Sequence, residues 1–187
     1  MNRTIRLIST IIILAVTIAA LMSIKPLMQQ IYPLKHVDVI RAQAEEFDLD
    51  PYLIAALIHV ESKWREDAVS KKGATGLMQL MPDTAAWVAE QMGIEFEVQD
   101  LLDPEMNIMM GCWYLNYLSR RFSSFTAALA AYNGGQGNVQ QWLAKEQWDG
   151  SFESASDIPF WETRTYLRKL SYTWSIYRRI YDKELGD

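Results

Sequence analysis

Glu61 follows Leu57 by four residues and Ile58 by three, on the face that those two residues turn toward a core if the segment is helical. A carboxyl group held on such a face is desolvated, which disfavours its charged form and raises its pKa. A general acid that must still hold a proton near neutral pH needs that environment. Position alone says little, because a glutamate near a helix end often turns out to solvent. The competing chemistries have few candidates. Cys112 is the only cysteine, so an intramolecular disulfide and a cysteine-based metal cluster are excluded. His36 and His59 are too few for a histidine-rich metal site, and His59 lies in an apolar run where a core or edge histidine is expected.

Further groups suited to a polar ligand follow in clusters. Glu61-Ser62-Lys63-Trp64 is followed by Ser70 and then by Gly73-Ala74-Thr75-Gly76-Leu77-Met78-Gln79-Leu80-Met81-Pro82. Ala131-Tyr132-Asn133-Gly134-Gly135 and Glu162-Thr163-Arg164-Thr165-Tyr166 come later. Aromatics beside amides and hydroxyls suit a ligand that has both apolar faces and polar substituents. Plainer roles stand beside these. The glycines serve turn geometry, Met78 and Met81 fit core packing, and Glu162 and Arg164 fit capping and charge neutralisation of the last helix. Trp64, Trp113, Trp142, Trp148, Trp161 and Trp174 divide between core and groove in a way the sequence does not show.

Taken together, these motifs resemble in order and spacing those of the soluble-type lytic transglycosylases, whose catalytic domain is related to goose-type lysozyme. The segment Leu102-Asp103-Pro104-Glu105-Met106-Asn107-Ile108, with Gly111 and Tyr114-Leu115, is similar to the intervening helix of that family. The resemblance spans roughly 37–177. It implies that Glu61 is the catalytic glutamate and that Gln79 contacts the N-acetyl sugars. Ser70 and Met81 would be further lining positions. Tyr132 and Tyr166 would flank the glutamate, with Tyr166 as its hydrogen-bond partner, and Asn133 would shape the same wall.

The resemblance also implies a mechanism with one carboxylate, whereas most glycosidases use two. Glu61 would protonate the bridging oxygen between N-acetylmuramic acid and N-acetylglucosamine, then as a base take the proton from the 6-hydroxyl. That hydroxyl closes a 1,6-anhydro ring without water and without a cofactor, the intramolecular attack supplying a high effective concentration. A second carboxylate would favour a hydrolytic muramidase instead. Asp83 and Asp103 have local explanations as a first-turn acid and a helix cap, and Asp100 has none. A catalytically silent glycan-binding protein of the wall is the alternative from another class.

The elements that must position these groups read as helices. Val37–Phe47 carries apolar residues at helical spacing. Asp50-Pro51 and Asp103-Pro104 each pair a capping residue with proline at the first helical position. They open helices to about Trp64 and about Phe122. Thr84–Met92, Phe125–Tyr132, Val139–Ala144 and Thr163–Lys183 complete the set, with the Asn133-Gly134-Gly135 break stopping the fifth. The expectation is an all-α, compact, lysozyme-like helical domain over 38–187, with a small hairpin or irregular loop around Gly73–Met81.

An uncharged run from Leu7 to Ile24 precedes it, and at 1.5 Å per residue it nearly matches a hydrocarbon core of about 30 Å. Arg3 and Arg6 in front predict a cytoplasmic N-terminus and an exported body. Leu21 and Met22 after Ala19-Ala20 spoil a signal-peptidase site, which favours an uncleaved anchor over 1–25 and a linker over 26–37. The net charge is −5, and beyond Lys25 the chain holds 15 Lys and Arg against 23 Asp and Glu. So acidic a body argues against a nucleic-acid partner and suits a neutral or mixed-charge ligand better; the resemblance implies that the partners are peptidoglycan glycan strands, reached from the membrane.

Overall fold

The computed structural model describes Thr10, residues 12–14 and residues 24–185. The chain divides into two compact units, Met1–Leu34 and Lys35–Asp187. In the first, 24–31 is helical where the sequence reads as a linker. Among the described residues no helix is long and apolar enough to cross a membrane; the anchor expected over 1–25 falls largely outside them.

The second unit is built of helices. They are α1 (Val37–Phe47), α2 (Pro51–Ser62), α3 (Pro82–Met92), α4 (Pro104–Arg121), α5 (Phe125–Gly134), α6 (Gln136–Ala144) and α7 (Trp161–Ile180), with short 3₁₀ turns at Val98–Leu102 and Ala155–Asp157. The anticipated hairpin is reduced to two isolated antiparallel bridges, Val69 with Thr75 and Thr75 with Leu80.

Helix α2 is apolar on all sides, and Leu53 through Ile58 are fully buried, which marks it as the centre of the core. Each of its leucines and isoleucines contributes about 1.5–3 kcal/mol by leaving water. Its largest partner is α7, which presents Leu167, Leu170, Ile176 and Tyr177 on one buried face. Asp50 fixes the crossing. One carboxylate oxygen caps α2 by accepting from Tyr52 N at 2.8 Å, while the other accepts from Trp174 Nε1 at 3.1 Å and pairs with Arg178 at 3.5 Å. On the other side, α5 is rich in alanine, and Ala127, Ala128, Ala130 and Ala131 are buried against α4, α6 and α7.

Two boundaries differ from the expected ones. Helix α3 starts at Pro82, two residues before the expected Thr84, since a missing N–H costs nothing at the first helical position. Helix α5 runs through Asn133 and Gly134 and ends at Gly135, whose φ of 83° only glycine adopts without strain.

Candidate active site

Helix α2 stops one residue after Glu61 because Lys63 and Trp64 take left-handed φ angles of 55° and 63°. Those conformations are uncommon for such side chains, and tertiary contacts hold them. Trp64 is buried and donates from Nε1 to the Tyr177 hydroxyl of α7 at 2.7 Å. The end of α2 is thereby anchored, and Glu61 is placed on the floor of a cleft of about 340 Å³.

One wall is the segment from Ser70 to Met81. Its geometry is set from α4 by Asn107, which is fully buried. The Asn107 amide donates to the carbonyls of Thr75 at 3.1 Å and Leu101 at 2.9 Å, and its oxygen accepts from Met78 N at 2.7 Å. Glycine is required beside it. A Cβ on Gly76 would lie 2.2 Å from both Leu101 O and Asn107 Nδ2, and a Cβ on Gly111 would lie 2.4 Å from Met78 Sδ. Gln79 then takes a φ of 51° and donates from Nε2 to Ala68 O at 3.0 Å and Gly76 O at 2.9 Å. With both amide hydrogens spent on the protein, Gln79 offers the cleft an acceptor oxygen.

The opposite wall comes from α5 and the start of α7. The Tyr132 hydroxyl donates to Met78 O at 2.9 Å, so both backbone polar groups of Met78 are held by side chains. Asn133 Oδ1 accepts from the Thr163 hydroxyl at 3.0 Å, which leaves its amide hydrogens to donate. An acceptor from Gln79 and a donor from Asn133 in one cleft match the N–H and C=O of an acetamido group.

The Glu61 pKa is raised from 4.5 to about 7: burial raises it most, the Tyr166 hydroxyl pulls against that, and the nearby carboxylate of Glu162 adds a smaller upward push. That hydroxyl is buried and completes no hydrogen bond of standard geometry, yet it lies near enough to favour the ionised acid. Tyr132 and Tyr166 are themselves pushed well above 10, by burial first and by Glu61 second, so both remain neutral donors. An acid poised near 7 can release a proton and take one back at the same pH.

Of the residues singled out from sequence, Glu61, Ser70, Gln79, Met81, Tyr132 and Asn133 line this cleft, and Tyr166 packs behind Glu61 without lining it. Met78 is wholly buried, whereas Met81 is 41% exposed at the rim. The tryptophans separate as well. Trp64, Trp142 and Trp148 are core, Trp161 is 73% exposed, and none lines the cleft. His59 is buried edge-on to Tyr177, and burial with the Lys63 charge lowers it to about 4, so it is neutral. Among the described residues no group of three or more His, Cys, Asp or Glu is placed to hold a metal ion.

Asp100 does have a local explanation: it accepts from Glu97 N at 2.7 Å in a capping box at the 3₁₀ turn. Asp103 caps α4 through Met106 N. The other carboxylate in the cleft is Glu162, which the sequence suggests only as a first-turn acid of the last helix. Arg164 is structural as read, donating to the carbonyls of Ile158 and Pro159. Lys71 and Lys72 also line the cleft, and adjacency to Ser70 was their only sequence signal.

Residues 38–154 match the transglycosylase SLT domain family. Over 157 residues the chain is 32% identical to the soluble lytic murein transglycosylase of Escherichia coli, covering 81% of this chain and 24% of that protein. Over 173 residues it is 32% identical to the membrane-bound lytic murein transglycosylase C of Edwardsiella ictaluri, covering 78% and 47%. The crystal structure of the 70 kDa soluble lytic transglycosylase from Escherichia coli superposes with a TM-score of 0.75 at 31% identity, covering 81% of this chain and 25% of that one. An inactive glutamate-to-glutamine mutant of lytic transglycosylase Slt from Pseudomonas aeruginosa superposes at 0.73 and 34% identity, covering 83% and 25%. The chain thus spans about a quarter of the length of the first relatives it matches.

Proposed function

The chain belongs to the transglycosylase SLT domain family, and from that premise we propose that it is a peptidoglycan lytic transglycosylase acting on the extracytoplasmic side of a membrane. It cleaves the β-1,4 bond between N-acetylmuramic acid and N-acetylglucosamine without net hydrolysis and leaves 1,6-anhydromuramoyl ends. The observation that carries the reading is Glu61 at the cleft floor with its pKa raised to about 7 by burial. Relatives named as lytic murein transglycosylases, soluble and membrane-bound, support the substrate class. The mutant of the Pseudomonas relative, inactive after one glutamate-to-glutamine change, supports an essential glutamate in that relative. The apolar run over 7–24 and the basic residues before it support a membrane tether.

Glu61 acts twice. It first gives its proton to the glycosidic oxygen, and the bond from that oxygen to the muramoyl anomeric carbon breaks. The acetamido group of the same sugar, oriented by Gln79 and Asn133, stabilises the positive charge left on that carbon. The 6-hydroxyl oxygen then bonds to the carbon while its proton returns to Glu61. Tyr166 stays protonated and donates toward the carboxylate during the interval, while Tyr132, whose one hydroxyl hydrogen goes to Met78 O, stays neutral beside it. Because the nucleophile belongs to the substrate, no second carboxylate is needed to activate water.

One observation favours a hydrolytic muramidase as the alternative: Glu162 shares the cleft. Mass analysis of muropeptides released from purified peptidoglycan separates the two. Anhydro products are expected, and products heavier by one water would overturn the transglycosylase reading.

A further inference from the structure

The two cations of the cleft have no part in the chemistry above. Lys71 and Lys72 are the central residues of a turn that Gly73 N closes by donating to Ser70 O at 3.0 Å. Two more hydrogen bonds brace it. Ser70 N donates to Ala74 O at 2.8 Å, and Ala74 N donates to the Ser70 hydroxyl oxygen at 2.9 Å. Gly73 completes the turn at a φ of 90°. The central positions of a turn braced in this way point away from its hydrogen bonds, and both lysines are exposed while lining the cleft that holds Glu61.

Neither lysine forms an ion pair with any described residue, in a chain where acidic side chains outnumber basic ones beyond Lys25. Lys71 and Lys72 are therefore an unneutralised positive lip on an acidic body, at the mouth of the cleft that contains the poised acid. A β-1,4 glycan of N-acetylated sugars gives them nothing to bind, since its hydroxyls and acetamides are neutral. The lactyl carboxyl of muramic acid is closed as an amide when a peptide is attached. The negative charge of such a strand then lies on the carboxylates of its peptide stems.

We propose that Lys71 and Lys72 form a subsite for the peptide-stem carboxylates of the muramoyl unit bound over Glu61, so that the cleft selects stem-bearing strands over bare glycan. The inference rests on the peptidoglycan reading above. It adds a determinant of substrate choice, placed on the wall that also carries Ser70 and Gln79. Contacts of this kind at a solvent-exposed rim are individually weak and are screened by salt. The selection is therefore graded: a few-fold from each lysine, acting on binding and leaving the proton transfers unchanged.

The test compares the full chain on two substrates, peptidoglycan strands with intact stems and strands stripped of stems by an amidase whose freed lactyl carboxyls are then capped as methyl amides. Its readout is the ratio of the two kcat/KM values. The ratio is expected to fall about three- to tenfold in Lys71→Ala/Lys72→Ala, through KM, and further in Lys71→Glu/Lys72→Glu. It should be kept in Lys71→Arg/Lys72→Arg and should shrink for the unmodified chain in 0.5 M salt. An unchanged ratio in both the alanine and the glutamate variants would overturn the subsite. So would tighter binding of stem-free strands that carry an anionic phosphate polymer, since the lysines would then serve a different anion. Binding of both strand types to the Glu61→Gln chain separates this inference from the functional reading. A lysine-dependent preference there, with hydrolytic products from the unmodified chain, keeps the subsite and rejects the transglycosylase. Anhydro products with no lysine-dependent preference do the reverse.

Discussion

Tyr132 donates its hydroxyl hydrogen to the carbonyl oxygen of Met78 at 2.9 Å, across the cleft from α5 to the Gly-Leu-Met-Gln segment. Asn107 holds the other backbone group of the same residue, accepting from Met78 N at 2.7 Å. A buried methionine pinned at both its N–H and its C=O sets the width of the cleft and the aim of Gln79 beside it. Two side chains from different helices hold that wall, and each can be removed separately.

Removing Asn107 should be the more damaging change. Asn107→Ala leaves Met78 N without its partner in the interior and takes a donor from Leu101 O and from Thr75 O, the latter keeping only Leu80 N. The expected loss is about 2–4 kcal/mol of stability, measured by urea denaturation, together with loss of turnover. Tyr132→Phe removes one hydrogen bond of lesser consequence. About 1 kcal/mol of stability and a rise in KM are expected.

Glu61→Gln should abolish turnover while strengthening the fold at high pH. Removing both proton transfers should lower kcat at least about 100- to 10,000-fold. For stability the sign follows from the raised pKa. Below about 4.5 the carboxyl is neutral in both the folded and the unfolded chain, and it costs nothing. Between about 4.5 and 7 the unfolded chain releases a proton that the folded one keeps, so stability falls as pH rises, and above 7 the full penalty stands. Solvent in the cleft moderates it to about 1–3 kcal/mol. Denaturation at pH 8 should show the variant more stable than the parent, and at pH 4.5 the two should coincide. A constant difference at both pH values would show that Glu61 is not held protonated by the fold.

The same pKa sets the activity profile. The free enzyme needs Glu61 protonated, so kcat/KM should decline above about pH 7. Glu162→Gln removes the negative charge that raises Glu61, and the decline should move to lower pH. If Glu162 instead activates water, the variant should lose most of its turnover and the decline should stay in place.

Tyr166→Phe should shift the decline the other way. Its hydroxyl holds the Glu61 pKa down, so its removal raises that pKa and carries the limb upward. The hydroxyl is buried and completes no hydrogen bond of standard geometry, so the fold should lose less than about 1 kcal/mol. A large drop in thermal stability with an unmoved profile would make Tyr166 a structural residue only.

Sequence by itself determined the helices and the kind of environment that awaits Glu61, because both depend on short-range chemistry. Asp50-Pro51 and Asp103-Pro104 state helix starts within two residues, and the spacing of Leu57, Ile58 and Glu61 states a shared face within one turn. Glycines at 76 and 135 declare their turns through a φ that other residues avoid. Membership of the cleft has no such local sign. Glu162 reads as a first-turn acid of α7 until the helices are packed, and then it meets Glu61. Asn107 resembles any polar residue in a helix until Thr75, Met78 and Leu101 close around it. Lys71 and Lys72 come to share a cleft with Glu61 only when the 70–81 segment folds against the end of α2. Helix propensities and caps act over a few residues, whereas the cleft depends on which faces of distant segments are buried against one another. That was decided by packing, and only the tertiary structure shows it.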